Sequence, residues 1–149
     1  MWRILGKVAH LWPKNLYRII SKIHSKIIKF NHTKAGEYIL GDHILLLETI
    51  GNKSQKLRKT PLTYAEYNDS YIVAASFSGN KNTPDWYFNL FTSPPYITVK
   101  NSRFQVIVKE IELDNKEFYW SLLDQVYPTF KTSRERADRD IPLIKFIKA

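Results

Sequence analysis

From residue 40 onward, apolar and polar positions fall into short runs separated by turn residues, the pattern of β-strands. Ile44–Thr49 is an apolar run, as in a strand covered on both faces. Lys59–Glu66 and Tyr71–Ser76 flank Asn68-Asp69, which predicts a hairpin. Tyr96–Val99 and Arg103–Glu110 form a second pair around Asn101-Ser102, and Phe104, Val106 and Val108 alternate with their neighbours. Leu143–Ile147 is a closing strand. Two helices are expected among these strands. One starts at Thr83-Pro84-Asp85 and runs through Trp86–Phe91 to Ser93-Pro94-Pro95. The other starts at Asp114, with Glu117 as a capping-box partner, and reaches about Tyr127. Six short strands and few helices predict a mainly β, α+β fold, a small closed or half-closed barrel.

The first 36 residues follow a different period. Leu16, Ile19, Ile20, Ile23, Ile27 and Phe30 form one stripe of a helix over residues 14–30, with Lys14, Arg18, Lys22, Lys26 and Lys29 opposite. Pro13 suits a first helical position. Such a helix, flanked by Trp2 and Trp12, either packs its stripe on the body or lies in an anionic membrane interface. No apolar run approaches the length of a membrane span, and basic residues interrupt any signal-peptide core.

Charge sharpens this division. The chain of 149 residues carries 23 basic and 14 acidic side chains, net +9. Residues 1–36 hold eight basic groups and no acidic one, so the remainder is nearly neutral. A nucleic-acid partner is therefore not expected. Cysteine is absent, which excludes a disulfide scaffold, thiolate metal sites and a cysteine nucleophile. His10, His24, His32 and His43 lack metal-ligand spacing, and no metal site is expected. Walker, nucleophile-elbow and dinucleotide motifs are also missing.

Two segments retain chemical interest. Gly51–Lys59 packs four cations and the Ser54 hydroxyl into a connection between two strands, suited to a phosphate or a carboxylate-rich ligand, or else an ordinary solvated turn. The strand Tyr71–Ser76 leads into the helix that starts near Thr83, where Trp86 and Asn89 share a face. A planar ligand would lie beside Trp86 with Asn89 bonding to it; alternatively, Trp86 is core and Asn89 is a C-terminal cap. Asp138, Arg139 and Asp140 form a charge cluster of the kind usually solvated or locally paired.

Taken in order, these residues resemble a known family. Thr49-Ile50-Gly51-Asn52-Lys53-Ser54, Arg58 and Pro61-Leu62 resemble the T-x-G-R-K-[ST]-G-x-x-R-x-x-P-L motif of the deazaflavin-dependent nitroreductase family, which includes F420H2-dependent quinone reductases. Val73–Ser76, Gly79 and Pro84–Leu90 are similar to its V-A-S-x-G-G…P-x-W-x-x-N-L block. Tyr127-Pro128 and Asp138–Pro142 are similar to its Y-P…D-R-x-I-P ending. The resemblance implies a split β-barrel, akin to the FMN-binding split barrels, over residues 37–149, with the basic amphipathic helical segment 1–36 before it. It implies reduced coenzyme F420 as hydride donor; the alternatives are an FMN-binding or merely ligand-carrying split barrel, or a module that docks to membranes through residues 1–36. The acceptor would be a quinone, a nitroaromatic or a similar activated molecule.

The same resemblance assigns roles. The anionic tail would meet Asn52, Lys53, Ser54, Arg58 and Lys59. The backbone around Thr60, Pro61, Leu62 and Thr63, and around Ala74, Ala75, Ser76 and Phe77, would line the ring. Asp85, Trp86, Tyr87, Phe88 and Asn89 would close the pocket. No catalytic side chain is required, because the cofactor carries the hydride chemistry. Asn52 stands where the pattern has arginine, Gln55 and Asn80 where it has glycine, and Phe130 and Ser133 at acceptor-pocket positions where relatives have tyrosines. A cytoplasmic protein is implied, peripheral on the inner membrane face through residues 1–36 and able to form a homodimer.

Overall fold

A computed structural model describes Ile19 and residues 43–149. The helix expected over residues 14–30, and the whole segment 1–36, lie outside the described residues apart from Ile19. Six antiparallel strands close a barrel in the order β1-β2-β3-β6-β5-β4. They are β1 (Ile44–Ile50), β2 (Leu57–Tyr67), β3 (Ser70–Ala74), β4 (Tyr96–Val99), β5 (Ser102–Glu110) and β6 (Leu143–Lys148). Each expected strand is present, with ends moved by up to two residues. Among residues 43–149 three α-helices accompany them: α1 (Asp85–Asn89), α2 (Lys116–Val126) and α3 (Thr129–Ala137).

The barrel is two half-sheets that share β2 and β5. Residues 57–63 of β2 pair with β1, from Ile44↔Thr63 to Ile50↔Leu57. Its remaining residues pair with β3, from Tyr64↔Val73 to Tyr67↔Ser70. In β5, residues 102–105 pair with β4 and residues 106–110 with β6. Because each shared strand changes partner midway, the half-sheets diverge toward one end. That end gathers the C-termini of β1, β3 and β5 and the N-termini of β2, β4 and β6.

Alternation divides the apolar residues between two cores. Leu45, Leu47, Tyr64, Val73, Ile97, Val106, Ile144 and Phe146 fill the barrel interior. Ala65, Ile72, Ala74 and Leu143, from the outer face of the second half-sheet, pack against Trp120, Leu123, Phe130 and Ala137 of α2 and α3. Helix α3 was not anticipated: its sequence, Thr-Phe-Lys-Thr-Ser-Arg-Glu-Arg-Ala, has no apolar stripe. It forms by tertiary contact. Arg134 makes a bidentate ion pair with Asp124 of α2, at 2.9 and 2.8 Å, and its guanidinium lies 4.3 Å from the centre of the Trp120 ring. The starts of the two expected helices also differ. Asp85, not Pro84, opens α1, and a 3-10 turn over Leu113–Asn115 precedes α2 with no side-chain cap.

On the outer face of the first half-sheet, Glu48 is 3 % exposed and joins three strands. Lys59 of β2 donates to its Oε1, and Arg103 of β5 donates to Oε2 at 2.5 Å. Burial alone pushes the Glu48 carboxyl up, but the hydrogen bonds and charges of Lys59 and Arg103 outweigh it and hold the group below its ordinary value of 4.5. A carboxyl lowered in the folded state stabilises the fold above its unfolded value, and that stability is lost as pH falls through the folded value. Glu48→Gln should therefore cost about 1–3 kcal/mol at neutral pH, read from urea midpoints. The wild-type advantage should fade as the medium is acidified below 4.5. Equal midpoints at neutral pH would show that the triad contributes nothing.

Candidate functional site

The connections at the diverging end carry most of the expected site residues. Between β1 and β2 the chain closes a tight turn. The Gly51 N–H donates to the Lys56 carbonyl at 2.9 Å, and the Gln55 N–H donates to the Gly51 carbonyl at 2.8 Å. Gln55 sits at φ 52°, in the left-handed region, where the resembled pattern has glycine. Its side chain holds the Asn52 carbonyl at 2.8 Å, fixing the turn from within. Arg58 donates to Ser54 Oγ at 2.9 Å. A Cβ on Gly51 would come within 2.5 Å of that Oγ, so the close approach of Ser54 favours glycine here.

A hydrogen bond joins the turn to α1: the Asn52 backbone N–H donates to Asn89 Oδ1 at 3.0 Å. Asn89 is 8 % exposed, and the cap of α1 is Leu90, so the asparagine serves the neighbouring turn and not its own helix end. The contact uses the backbone of residue 52, which explains how asparagine can stand there without loss of this link. Trp86 is 7 % exposed and packs in the barrel core with Leu90, so it is a core residue and offers no stacking face. Tyr87 donates through its hydroxyl to Glu110 Oε2 at 2.8 Å, on the other half-sheet. Burial, and then the hydrogen bond and charge of Glu110, push its phenol up from 10.0. Phe88 and Phe91 point outward, 53 % and 63 % exposed, with their rings edge-on to Tyr87.

The expected ring-lining residues border the seam between the half-sheets. Thr60, Pro61, Leu62 and Thr63 are half-buried, on the part of β2 that has no β3 partner. Across from them, β3 ends at Ala74, and Ala75 and Ser76 are buried. The chain then enters a left-handed turn, with Phe77, Ser78 and Gly79 at φ 46°, 54° and 81°. Two non-glycine residues there cost on the order of 1–3 kcal/mol each. Gly79 is required: its φ is positive, and a Cβ would meet the Ser133 carbonyl oxygen of α3 at 3.0 Å.

Not every expected residue faces this seam. Alternation puts Arg58, Thr60 and Leu62 on one face of β2, and Lys59 and Pro61 on the other, where Lys59 pairs with Glu48. Phe130 packs edge-on to Trp120 and Tyr127 in the second core, with ring centres 6.1 and 5.4 Å apart. Ser133 is buried under Gly79. Asp85 is exposed at the first turn of α1. Lys53, Lys56 and Arg58 are exposed, and none has a carboxylate partner among the described residues. The Thr49 Oγ1, on the β1 face that carries Leu45 and Leu47, is buried with no hydrogen-bond partner.

A family model for F420H(2)-dependent quinone reductases matches residues 20–146. An F420H(2)-dependent quinone reductase of Mycobacterium tuberculosis is 31 % identical over 128 residues, covering 83 % of this chain and 86 % of the relative. A solved F420-H2 dependent reductase, FDR-A, is 31 % identical with a TM-score of 0.62, covering 69 % of this chain and 92 % of that one. A domain-swapped dimer is 28 % identical with a TM-score of 0.65, covering 89 % and 94 % respectively.

Asn89→Ala should lower stability by about 1–2 kcal/mol, since the Asn52 amide loses its acceptor and a buried side chain is cut away. Thermal unfolding checks the loss, and hydrogen exchange at the Asn52 amide should quicken. An unmoved transition together with unmoved exchange would mean that the bond does not hold the turn.

Proposed function

The chain belongs to the F420H(2)-dependent quinone reductase family, and on that premise we propose that it transfers a hydride from reduced coenzyme F420 to a quinone-type acceptor. The observation that carries this reading is the Asn52–Asn89 hydrogen bond. It ties a turn whose Lys53, Lys56 and Arg58 have no carboxylate partner among the described residues to the helix beside the seam, so tail-binding and ring-binding groups share one end of the barrel.

The residues present fit such a cofactor. Lys53, Lys56 and Arg58, with the Ser54 hydroxyl, form a donor set without competing carboxylates among the described residues, matched to phosphate and polyglutamate. Lys59 contributes least, because Glu48 already holds it. The stretch of β2 without a β3 partner offers backbone donors and acceptors to the edge of a planar ring. When bound, the deazaflavin supplies the hydride. The protein orients ring and acceptor and keeps water out; a quinone that takes up a hydride and one proton leaves as the quinol. No side chain needs to act as a strong base.

Three finer features belong to this proposal. Residues 1–36 are a basic segment preceding the 37–149 barrel in sequence, and their eight cations favour an anionic inner leaflet, where lipophilic quinones partition. The working location is then cytoplasmic and peripheral to the membrane. Two copies associate, a reading supported by the relative solved as a domain-swapped dimer. Nitroaromatics are secondary acceptors, because Phe130 and Ser133 replace hydroxyl-bearing rings and lie buried.

Purified protein, reduced F420 and menadione provide the test: the oxidised cofactor's absorbance should return at a rate proportional to enzyme. Absence of turnover with every quinone tried, and of F420 binding by fluorescence, would falsify the reading. A tighter complex with FMN than with F420 would instead point to a flavin protein. Lys53→Ala with Lys56→Ala should weaken F420 by about tenfold or more, as charged hydrogen bonds are lost. The deficit should shrink for F420 species with shorter tails.

A further inference from the structure

Arg139 lies in the segment between α3 and β6, far in sequence from the seam, yet its guanidinium reaches it. Nη2 donates to the Ala75 carbonyl at 2.9 Å and to the Asn82 carbonyl at 3.2 Å. Nε donates to the Asn80 carbonyl at 3.3 Å, and Nη1 donates to the Asp140 carbonyl at 3.1 Å. Three of these acceptors bracket the left-handed turn Phe77–Gly79. The opposite side of that turn rests on α3, where Gly79 meets Ser133. Asp138, itself left-handed at φ 49°, ends α3 and turns the chain toward Arg139.

We propose that Arg139 is a positioning residue for the cofactor cleft: its planar fork holds the carbonyls on both sides of the Phe77–Gly79 turn, so that strained backbone stays in place at the seam. This rests on the reading of the seam as the F420 ring site. Left-handed backbone at non-glycine residues persists only where surrounding contacts over-determine it, and the clamp supplies those contacts. Among the described residues the guanidinium pairs with no carboxylate; its hydrogen bonds go to main-chain carbonyls. An arginine presents several donors in one rigid plane, whereas a lysine offers a point charge that cannot span three carbonyls. Fixing backbone is therefore the role for which this residue type is suited.

The test compares wild-type protein with Arg139→Ala and Arg139→Lys. In both variants, amides over residues 76–82 should exchange faster while those of β1 and β4 keep their protection. F420 should bind about tenfold or more weakly, since misplacement by an ångström is enough for that, and the KM for menadione should stay unchanged. Guanidinium chloride at non-denaturing concentration should restore F420 affinity to Arg139→Ala but not to the wild type. Arg139→Lys, which keeps the charge, guards against a variant that fails to fold. Unaltered exchange in either folded variant overturns the clamp. Faster exchange with undiminished F420 affinity overturns its link to the cofactor. Wild-type protein that binds no F420 sinks the functional reading and with it the cofactor role, while exchange still decides whether Arg139 holds the turn.

Discussion

The site depends on a change of partner within β2. Up to Thr63 this strand pairs with β1; from Tyr64 it pairs with β3. A sheet that kept one pairing throughout would satisfy its backbone and leave no cleft. Dividing the pairing leaves one edge of residues 57–63 without a strand partner at the end where the functional connections gather. Pro61 sits in that stretch, and proline is tolerated in strands where one side is unpaired. The same division in β5 leaves residues 106–110 without a β4 partner at that end, so the two half-sheets part there while the barrel as a whole stays closed.

Charge in this region is sorted by strand alternation. Neighbouring cations of β2 fall on opposite faces, and the outward one, Lys59, is taken by Glu48 together with Arg103. The cations of the turn have no such partner among the described residues and remain available to an anion. A composition count treats these groups alike. The fold makes one part of a structural triad and leaves the others exposed.

Much of this was legible in the sequence, for identifiable reasons. The strands were readable because period-two alternation and the Asn68-Asp69 turn are local signals. The turn and α1 were readable as motif blocks. Helix α3 was not, because its order comes from Arg134 meeting Asp124 and Trp120, contacts that no local pattern contains. Trp86 was ambiguous for a related cause: a tryptophan beside a polar residue reads equally as core or as platform, and only its packing with Leu90 and the barrel interior decides. Arg139 was visible as part of a charge cluster. Three of its four acceptors are carbonyls 57 to 64 residues away, and main-chain acceptors leave no mark in a sequence.

Helix α1 explains how an open end can still be well defined. Five residues are too few for a helix to be stable alone, so its place is set by three side chains with three destinations. Trp86 enters the core between the half-sheets, Tyr87 reaches Glu110 on one of them, and Asn89 receives the turn that leaves the other. Tyr87 and Asn89 are two residues apart, a rise of about 3 Å along the helix axis. A helix so short cannot stretch, and the half-sheets cannot separate at this end without breaking one of the two hydrogen bonds or pulling the tryptophan from its pocket. The width of the seam is therefore set by the helix that closes it. On the proposed function, a flat cofactor would meet an end of the barrel that is already ordered, which keeps low the ordering cost of binding.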